Sequence, residues 1–302
     1  MSIKNTIKKA YNWLEEKLFS HLSSEKKMRV KMFFIRFYDF LYQNVFVYFY
    51  SWSYMLRYPN RGKNIFISCL PKSGSTYTQK VLEQGLPAAF AYYHAQRTYG
   101  YDLTGRGLFC LRFRCSVQRI HMHANELNLQ HLVSNGIRKY LVLLRDPRDV
   151  LVSYYHHVEK EGRCAYFVHL TDEYFKMSKE DKISYLIRYF LPRAVDYIHS
   201  WDSPQLKSND YQVCQLYYRD MLEKPQEYFE KILDFFDIPR VAFNQEAIQF
   251  RKEVRFRKGV AGEWKEYFTK EQNELAETIC GDILDKHGWE RAKAKEAAAH
   301  GA

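Results

Sequence analysis

The sequence lacks the features that mark secreted disulfide-rich proteins and membrane-spanning proteins. Its six cysteines, among 302 residues, are scattered without C-x-x-C spacing, and no carboxylate–histidine cluster has metal-ligand spacing. No apolar run reaches the roughly 18 residues of a membrane-spanning helix. No apolar segment of a secretory signal follows the lysines of residues 1–10. We therefore predict a cytoplasmic protein in a reducing compartment, without a disulfide framework and without a metal.

Positive charge is in excess. Lysine and arginine total 46 against 35 aspartates and glutamates, which gives a formal net charge of +11 and favours an anionic partner. Zinc-finger spacing and RNP-type motifs are both absent, so the positive charge is the only feature that would support binding to nucleic acid. We predict no nucleic-acid partner, which leaves a nucleotide, an acidic glycan or a membrane surface.

Residues 1–60 are predicted to form a helical, aromatic-rich extension. Apolar side chains recur at spacings of three and four from Ile3 to Leu22, as on one face of an amphipathic helix. Aromatic residues crowd between Val30 and Tyr58, interrupted by polar ones. Two interpretations are open: the helices pack on the core of the protein or pair with a second subunit as a homodimer, or they make a peripheral contact with a membrane.

Three short apolar runs, each followed by a turn and a helical pattern, predict the fold class. They span residues 64–70, 139–144 and 212–218, and the helix after the third is predicted to run from Arg219 through Phe236. Buried strands that alternate with helices are typical of an α/β fold with a central parallel sheet flanked by helices. Residues 61–290 are therefore expected to form the main domain, and residues 291–302 a flexible tail.

The turn after the first of these strands is a candidate anion site. Pro71 ends the strand, Lys72 adds a positive charge, and a helix is predicted to begin near Tyr77. Between them lie small residues that offer N–H groups or hydroxyls: Ser73, Gly74, Ser75 and Thr76. A strand, a small-residue turn and a helix N-terminus together favour the binding of an anion. Lysine precedes the glycine, so the G-x-x-x-x-G-K-[ST] order of nucleoside-triphosphate loops is absent.

Two further segments complete a set of motifs. Arg145-Asp146-Pro147-Arg148-Asp149 follows the second strand, with Asp146 expected to cap a helix and Asp149 placed as a capping-box acid. Residues 256–265 read F-R-K-G-V-A-G-E-W-K. With P-K-S-G-S-T-Y at residues 71–77, these motifs resemble, in the same order, those of the cytosolic sulfotransferase family, whose sulfonate donor is 3′-phosphoadenosine 5′-phosphosulfate.

The resemblance implies a P-loop-like sulfotransferase fold and a donor-binding role for each motif. The segment from Lys72 to Tyr77 would bind the 5′-phosphosulfate. The residues that would bind the 3′-phosphate are Arg145, Ser153, Arg257, Lys258 and Gly259. The implied adenine contacts are Tyr77, which stands in the place of a tryptophan, Tyr218 and, less strongly, Phe250.

Two histidines in the run from Val117 to Ala124, which is predicted to be a strand, carry the catalytic prediction. His123 matches the histidine base of the family, and His121 stands where the family usually has a lysine that contacts the sulfonate. Histidine is charged only below about pH 6.5 unless its pKa is shifted. Either His121 is a pH-dependent electrostatic group, or the two histidines exchange roles. Lys72 would stabilise the leaving phosphate.

The implied function is in-line transfer of a sulfonate to a hydroxyl, or an amine, of a small-molecule acceptor. A glycan or lipid sulfotransferase is the alternative. An ATP-dependent kinase and a non-catalytic nucleotide-binding protein are more remote alternatives. The loop-rich interval 85–136 would lie above the carboxyl ends of the strands, where ligands of open sheets bind, and is expected to supply acceptor contacts.

Overall fold

The computed structural model describes residues 64–86, 89–90, 116–162, 168–203, 210–252 and 259–292, and residues 89, 90, 116, 161 and 250–252 are described by their backbone alone. The predicted extension 1–60 lies outside the described residues, as do residues 91–115 and 293–302. The predictions made for these segments therefore stay predictions. No helix in the described part of the chain is long and apolar enough to span a membrane.

A parallel sheet forms the centre of the described structure. Its strands are β1 (Asn64–Cys69), β2 (Ala89–Phe90), β3 (Ser116–Ile120), β4 (Lys139–Leu144) and β5 (Gln212–Tyr217). They are ordered β2-β3-β1-β4-β5 and every neighbouring pair is parallel, with the two-residue β2 at one edge. The predicted α/β fold with a central parallel sheet is thus confirmed, including its three apolar strands.

Helices cover both faces of this sheet. In chain order they are α1 (Ser75–Gly85), α2 (Glu126–Ser134), α3 (Pro147–Glu161), α4 (Asp172–Lys176), α5 (Lys179–Tyr189), α6 (Leu191–Asp202), α7 (Tyr218–Glu223), α8 (Pro225–Phe235), α9 (Lys270–Cys280) and α10 (Ile283–Lys286). Short 3-10 segments lie at Arg240–Ala242, Gln245–Lys252 and Glu263–Glu266.

The side chains of β1 alternate between two hydrophobic cores. Ile65 and Ile67 pack in a core with α1 and α8, whereas Phe66 packs in the core on the opposite face, with α3, α5 and α6. Both isoleucines are buried, and burial of one such side chain stabilises a fold by roughly 1.5–3 kcal/mol. A strand buried on both faces needs a continuous apolar run, which is why these strands are visible in the sequence.

Helix α3 begins as predicted, but two predicted boundaries are wrong. The carboxylate of Asp146 accepts a hydrogen bond from the Arg148 N–H at 2.9 Å and caps the helix. Helix α1 begins at Ser75 rather than near Tyr77. The single helix predicted from residue 219 to 236 is two helices, because Pro225 cannot donate a backbone hydrogen bond and starts α8 instead.

Strand β3 ends at Ile120, although the alternating pattern predicts a strand as far as Ala124. Beyond Ile120, helix α6 and β1 supply the hydrogen-bond partners. The Met122 carbonyl accepts hydrogen bonds from the Trp201 indole at 3.1 Å and from the Ser68 hydroxyl at 2.9 Å. The Ala124 N–H donates to the Ser200 hydroxyl at 3.0 Å. Tertiary contacts thus replace the sheet ladder in the segment that carries His121 and His123.

A buried polar cluster fixes the end of α6 to α10. The Asp202 carboxylate is 2.8 Å from His287 Nε2 and 3.1 Å from Lys286 Nζ, and it accepts a hydrogen bond from the Gln215 amide at 3.0 Å. The side chains of Asp202 and His287 are only 5% and 2% exposed. Burial alone would raise the pKa of Asp202, but these hydrogen bonds outweigh burial and lower it.

We expect Asp202→Asn to destabilise the fold by about 1–3 kcal/mol at pH 7, because it removes a buried, hydrogen-bonded charge. The pKa of Asp202 is lower in the folded than in the unfolded state, so its contribution is present above the unfolded pKa and is lost as the pH falls through the folded pKa. The difference between variant and wild type should therefore shrink below about pH 4, in urea unfolding followed from pH 3 to 7. Asp210→Asn, an exposed partner of Arg138, is the matched control, and an equal effect of both variants would contradict this role.

Candidate active site

The residues expected to bind the donor lie at the carboxyl edge of the sheet. Strands β1, β4 and β5 are neighbours and are paired in parallel register to their carboxyl ends. Lys72, Arg145 and Tyr218 follow these three ends. The structure therefore brings together three segments that are far apart in the sequence, at the edge where ligands of open α/β sheets bind.

The guanidinium of Arg145 connects these segments. It donates to the Lys72 carbonyl at 3.0 Å and to the Val260 carbonyl at 3.2 Å, and its Cζ lies 4.1 Å from the centre of the Tyr218 ring. Arg145 is 6% exposed, and among the described residues its Nε has no hydrogen-bond partner. A buried arginine with a donor to spare is suited to bind a phosphate.

The turn between β1 and α1 has an unusual backbone. Lys72 has a φ of 64° and Gly74 a φ of 84°, both in the left-handed region, and Gly74 is the N-cap of α1. A Cβ on Gly74 would lie 2.6 Å from the end of the flexible Met221 side chain, which can move aside, so the left-handed φ rather than space is what requires glycine here. The Ser73 hydroxyl donates to the Leu70 carbonyl at 2.7 Å and closes the turn.

An arginine that the sequence-based prediction missed reaches this turn. Arg119 of β3 donates to the Thr76 hydroxyl at 2.5 Å and lies 3.4 Å from the Ser75 hydroxyl. Thr76 is exposed and Ser75 is buried, both in the first turn of α1. A signal was present in the sequence, because Arg119 lies two residues before His121, and alternate residues of a strand share a face.

Tyr77 is part of the hydrophobic core. Its ring is 1% exposed and packs edge-on against Phe229, and its hydroxyl donates to the Ile248 carbonyl at 2.6 Å. This burial argues against the predicted stacking of Tyr77 on adenine, because no face of the ring is open to a ligand. Phe250 lies in the same 3-10 segment as Ile248, and its backbone alone is described.

His121 is engaged with the end of β1. Its Nδ1 lies 2.7 Å from the Cys69 carbonyl and 3.3 Å from the Cys69 sulfur. Burial opposes a charge on this ring, but attraction to Cys69 outweighs burial and raises the pKa of His121. One ring nitrogen of His121 is thus committed to Cys69, which the predicted role as a group that contacts the sulfonate did not include.

His123 lies beyond the end of β3 and is partly exposed. Its ring contacts the Tyr197 ring edge-on, with centres 5.7 Å apart, and its carbonyl accepts a hydrogen bond from the Asn128 amide at 3.0 Å. The Tyr197 hydroxyl is held 2.8 Å from the Ser68 hydroxyl of β1. His123 is therefore supported by α2 and α6 and borders the same sheet edge as Lys72.

Asp149 anchors the glycine-containing loop 259–265 to α3. Its carboxylate accepts hydrogen bonds from the N–H groups of Gly262 at 2.7 Å and Trp264 at 3.1 Å, so it binds this loop instead of acting as the predicted capping-box acid. Burial raises the pKa of Asp149, although the charge of Arg145 and the two N–H donors oppose the shift. The adjacent Arg148, which is fully buried, stacks on the Trp264 ring at 3.8 Å.

The remaining predicted donor-binding residues are described in part. Ser153 is half-buried on α3. Gly259 has a φ of 68°, in the left-handed region, next to Val260 whose carbonyl binds Arg145. Arg257 and Lys258 lie outside the described residues, so their predicted contacts with the 3′-phosphate stay predictions.

Comparison with known families agrees with this arrangement of motifs. The protein-family model described as the sulfotransferase domain matches residues 62–288, which is most of the chain. The chain belongs to the sulfotransferase family. It is a sulfotransferase-family enzyme by this match, which removes the alternative of an ATP-dependent kinase.

Individual relatives are distant. The chain is 22% identical to sulfotransferase 1B1 of Canis lupus familiaris, over 79% of this chain and 89% of that protein. It is 24% identical to amine sulfotransferase of Oryctolagus cuniculus, over 72% of this chain and 80% of that protein. The crystal structure of mouse sulfotransferase SULT7A1 complexed with PAP is similar in fold, with a TM-score of 0.52 and 19% identity over 72% of this chain and 83% of that chain.

Asp149→Asn should loosen the loop 259–265, because the amide leaves an N–H of Gly262 or Trp264 without an acceptor. An unpaired buried donor costs about 1–3 kcal/mol, so we expect trypsin to cleave after Lys265, within this loop, at least about fivefold faster. Cleavage is followed by mass spectrometry of the native protein. Asp196→Asn, an exposed aspartate of α6, is the control, and equal cleavage of both variants would show that Asp149 does not anchor the loop.

Proposed function

We propose that this enzyme transfers a sulfonate from 3′-phosphoadenosine 5′-phosphosulfate to a hydroxyl of a small-molecule acceptor. The observation that carries the proposal is the buried Arg145, whose guanidinium contacts the Lys72 turn, Tyr218 and the loop at Val260. Its Nε, buried and without a partner among the described residues, leaves a donor for a phosphate. The positively charged chain favours such a polyanionic nucleotide.

The residues at the sheet edge fit the two ends of this donor. The N-terminus of α1, with Gly74 as its cap, offers backbone N–H groups to the 5′ end. Arg145 and Ser153, joined by Gly259 and by the undescribed Arg257 and Lys258, bind the 3′-phosphate. Tyr218 contacts the adenine side of the nucleotide, with Arg145 covering part of its ring.

The reaction needs a base for the acceptor and a positive charge for the leaving group. When bound, the donor supplies an activated sulfonate with a phosphate as its leaving group. His123 takes the proton of the acceptor hydroxyl, and Tyr197 keeps its ring oriented. Lys72 neutralises the charge that develops on the leaving phosphate, from a backbone conformation that places it beside the turn.

The contacts described above concern the donor, so the class of acceptor is inferred from the relatives instead. The relatives include an amine sulfotransferase, so an amine is the second candidate beside a hydroxyl. The glycan and lipid acceptors have no specific observation in their favour. A panel of phenols, aliphatic alcohols and amines, assayed by release of the desulfonated donor, would assign the class.

Calorimetric titration tests the donor site first. We expect 3′-phosphoadenosine 5′-phosphate to bind at least about tenfold more tightly than AMP or ATP, because only this nucleotide engages both phosphate sites. Arg145→Lys keeps the charge but loses the planar fork, so it should weaken binding of the first nucleotide by about tenfold and change AMP binding little. Tighter binding of ATP with Mg²⁺, or no binding of any nucleotide, would contradict the proposed donor.

His123→Ala tests the base. We expect a loss of about 10²- to 10⁴-fold in kcat with the affinity for 3′-phosphoadenosine 5′-phosphate unchanged, since His123 acts on the acceptor rather than on the donor. His169→Ala, an exposed histidine before α4, is the control and should behave as wild type. Turnover of His123→Ala within a few fold of wild type, with the same thermal transition, would remove His123 as the base.

A further inference from the structure

The anion-binding turn has a cationic side chain beside it that no motif includes. Arg119 projects from β3 to the first turn of α1, with Nη1 at 2.5 Å from the Thr76 hydroxyl and 3.4 Å from the Ser75 hydroxyl. The Thr76 side chain is exposed and Arg119 is partly exposed. The guanidinium therefore lies next to the N-terminus of α1, where an anion would be bound.

Residue 121, where the sulfotransferase family usually has a lysine, contacts the end of β1 instead of the turn. His121, two residues further on, has Nδ1 bound to the Cys69 carbonyl at 2.7 Å and close to the Cys69 sulfur at 3.3 Å. These contacts hold its ring against the end of β1. Arg119, by contrast, contacts hydroxyls of the turn itself, with a planar guanidinium that suits a phosphate or sulfate group.

We infer that Arg119, and not His121, supplies the positive charge that binds the 5′-phosphosulfate of the donor, through direct contact of its guanidinium with that group. The inference rests on the proposed function. Five N–H donors in a planar fork let Arg119 keep a hydroxyl of the turn while it donates to an anion oxygen. Arg119 would then take the place at the 5′ group that the resemblance to the family gives to residue 121.

Arg119 could instead only brace the turn through Thr76 and Ser75, and the choice of ligand together with the stability of the free protein separates the two roles. A bracing residue affects every nucleotide that needs the turn and its surroundings, and it affects the stability of the free protein. A residue that contacts the 5′ group affects only nucleotides that carry this group. The comparison of 3′-phosphoadenosine 5′-phosphate with adenosine 3′-monophosphate, which lacks the 5′-phosphate, assigns an effect to the 5′ end of the nucleotide. The thermal transition of the unliganded variant then separates the two roles, because a lowered transition would show bracing and overturn the contact, whereas an unchanged one supports it.

The experiment is calorimetric titration of the full chain and of Arg119→Gln with both nucleotides. We expect Arg119→Gln to weaken the binding of 3′-phosphoadenosine 5′-phosphate by about 10- to 100-fold, which is the range of a hydrogen bond to a charged group. The affinity for adenosine 3′-monophosphate should stay within about twofold of wild type. The affinity of Arg119→Lys for 3′-phosphoadenosine 5′-phosphate should lie between those of wild type and Arg119→Gln. The thermal transition of the unliganded variants should match wild type, and Arg188→Gln, an exposed arginine of α5, is the charge-matched control.

A loss below twofold for 3′-phosphoadenosine 5′-phosphate, or an equal loss for both nucleotides, would overturn the role of Arg119. Either result would leave the proposed function intact, because the wild type would still bind the donor product. If the wild type bound neither nucleotide, the proposed function and this inference would both fall. His121→Gln binding as tightly as wild type would add support, whereas a loss confined to His121→Gln would return the role to His121.

Discussion

The site depends on one buried cation, the guanidinium of Arg145. It is held by the carbonyls of Lys72 and Val260 and by the face of Tyr218, so it links the ends of β1 and β5 and the loop 259–265 to the start of α3. A buried charge compensated by carbonyls rather than by a carboxylate hydrogen bond is costly in the free protein. An anionic ligand offsets part of that cost, so the same interaction that assembles the site also favours its occupation.

Two further residues of α3, Arg148 and Asp149, hold the loop 259–265 next to Arg145. Arg148 and Asp149, adjacent on the first turn of α3, face Trp264 and the N–H groups of Gly262 and Trp264. Arg148 also donates to the Asp146 carboxylate at 2.6 Å and to the Glu290 carbonyl at 2.6 Å. In the charged segment that resembles a phosphate motif, Arg145 is thus the residue that we propose for the ligand, whereas Arg148 and Asp149 contact the loop 259–265 and the segment at Glu290.

The sequence was informative where the signal is local and uninformative where it is not. Buried parallel strands read as apolar runs, and a helix start reads as Asp146-Pro147, so the sheet and α3 were predictable. The partner of Asp149 lies 113 residues away, at Gly262, and no spacing rule connects the two. The contacts of His121 and Arg119 with β1 and α1 likewise depend on which strands are neighbours, which the sequence pattern does not state.

The left-handed backbone of Lys72 has a consequence for how the turn meets its ligand. A non-glycine residue at a φ of 64° costs about 1–2 kcal/mol, and the turn retains this conformation through the hydrogen bonds of Ser73 to Leu70 and of Leu70 to β4 at Leu143. The turn therefore has this conformation before any ligand binds, so little chain entropy would be lost if the proposed anion bound there. Its geometry depends on the sheet, so a substitution in β4 that moves Leu143 would change the shape of the turn without any contact between the substituted residue and a ligand.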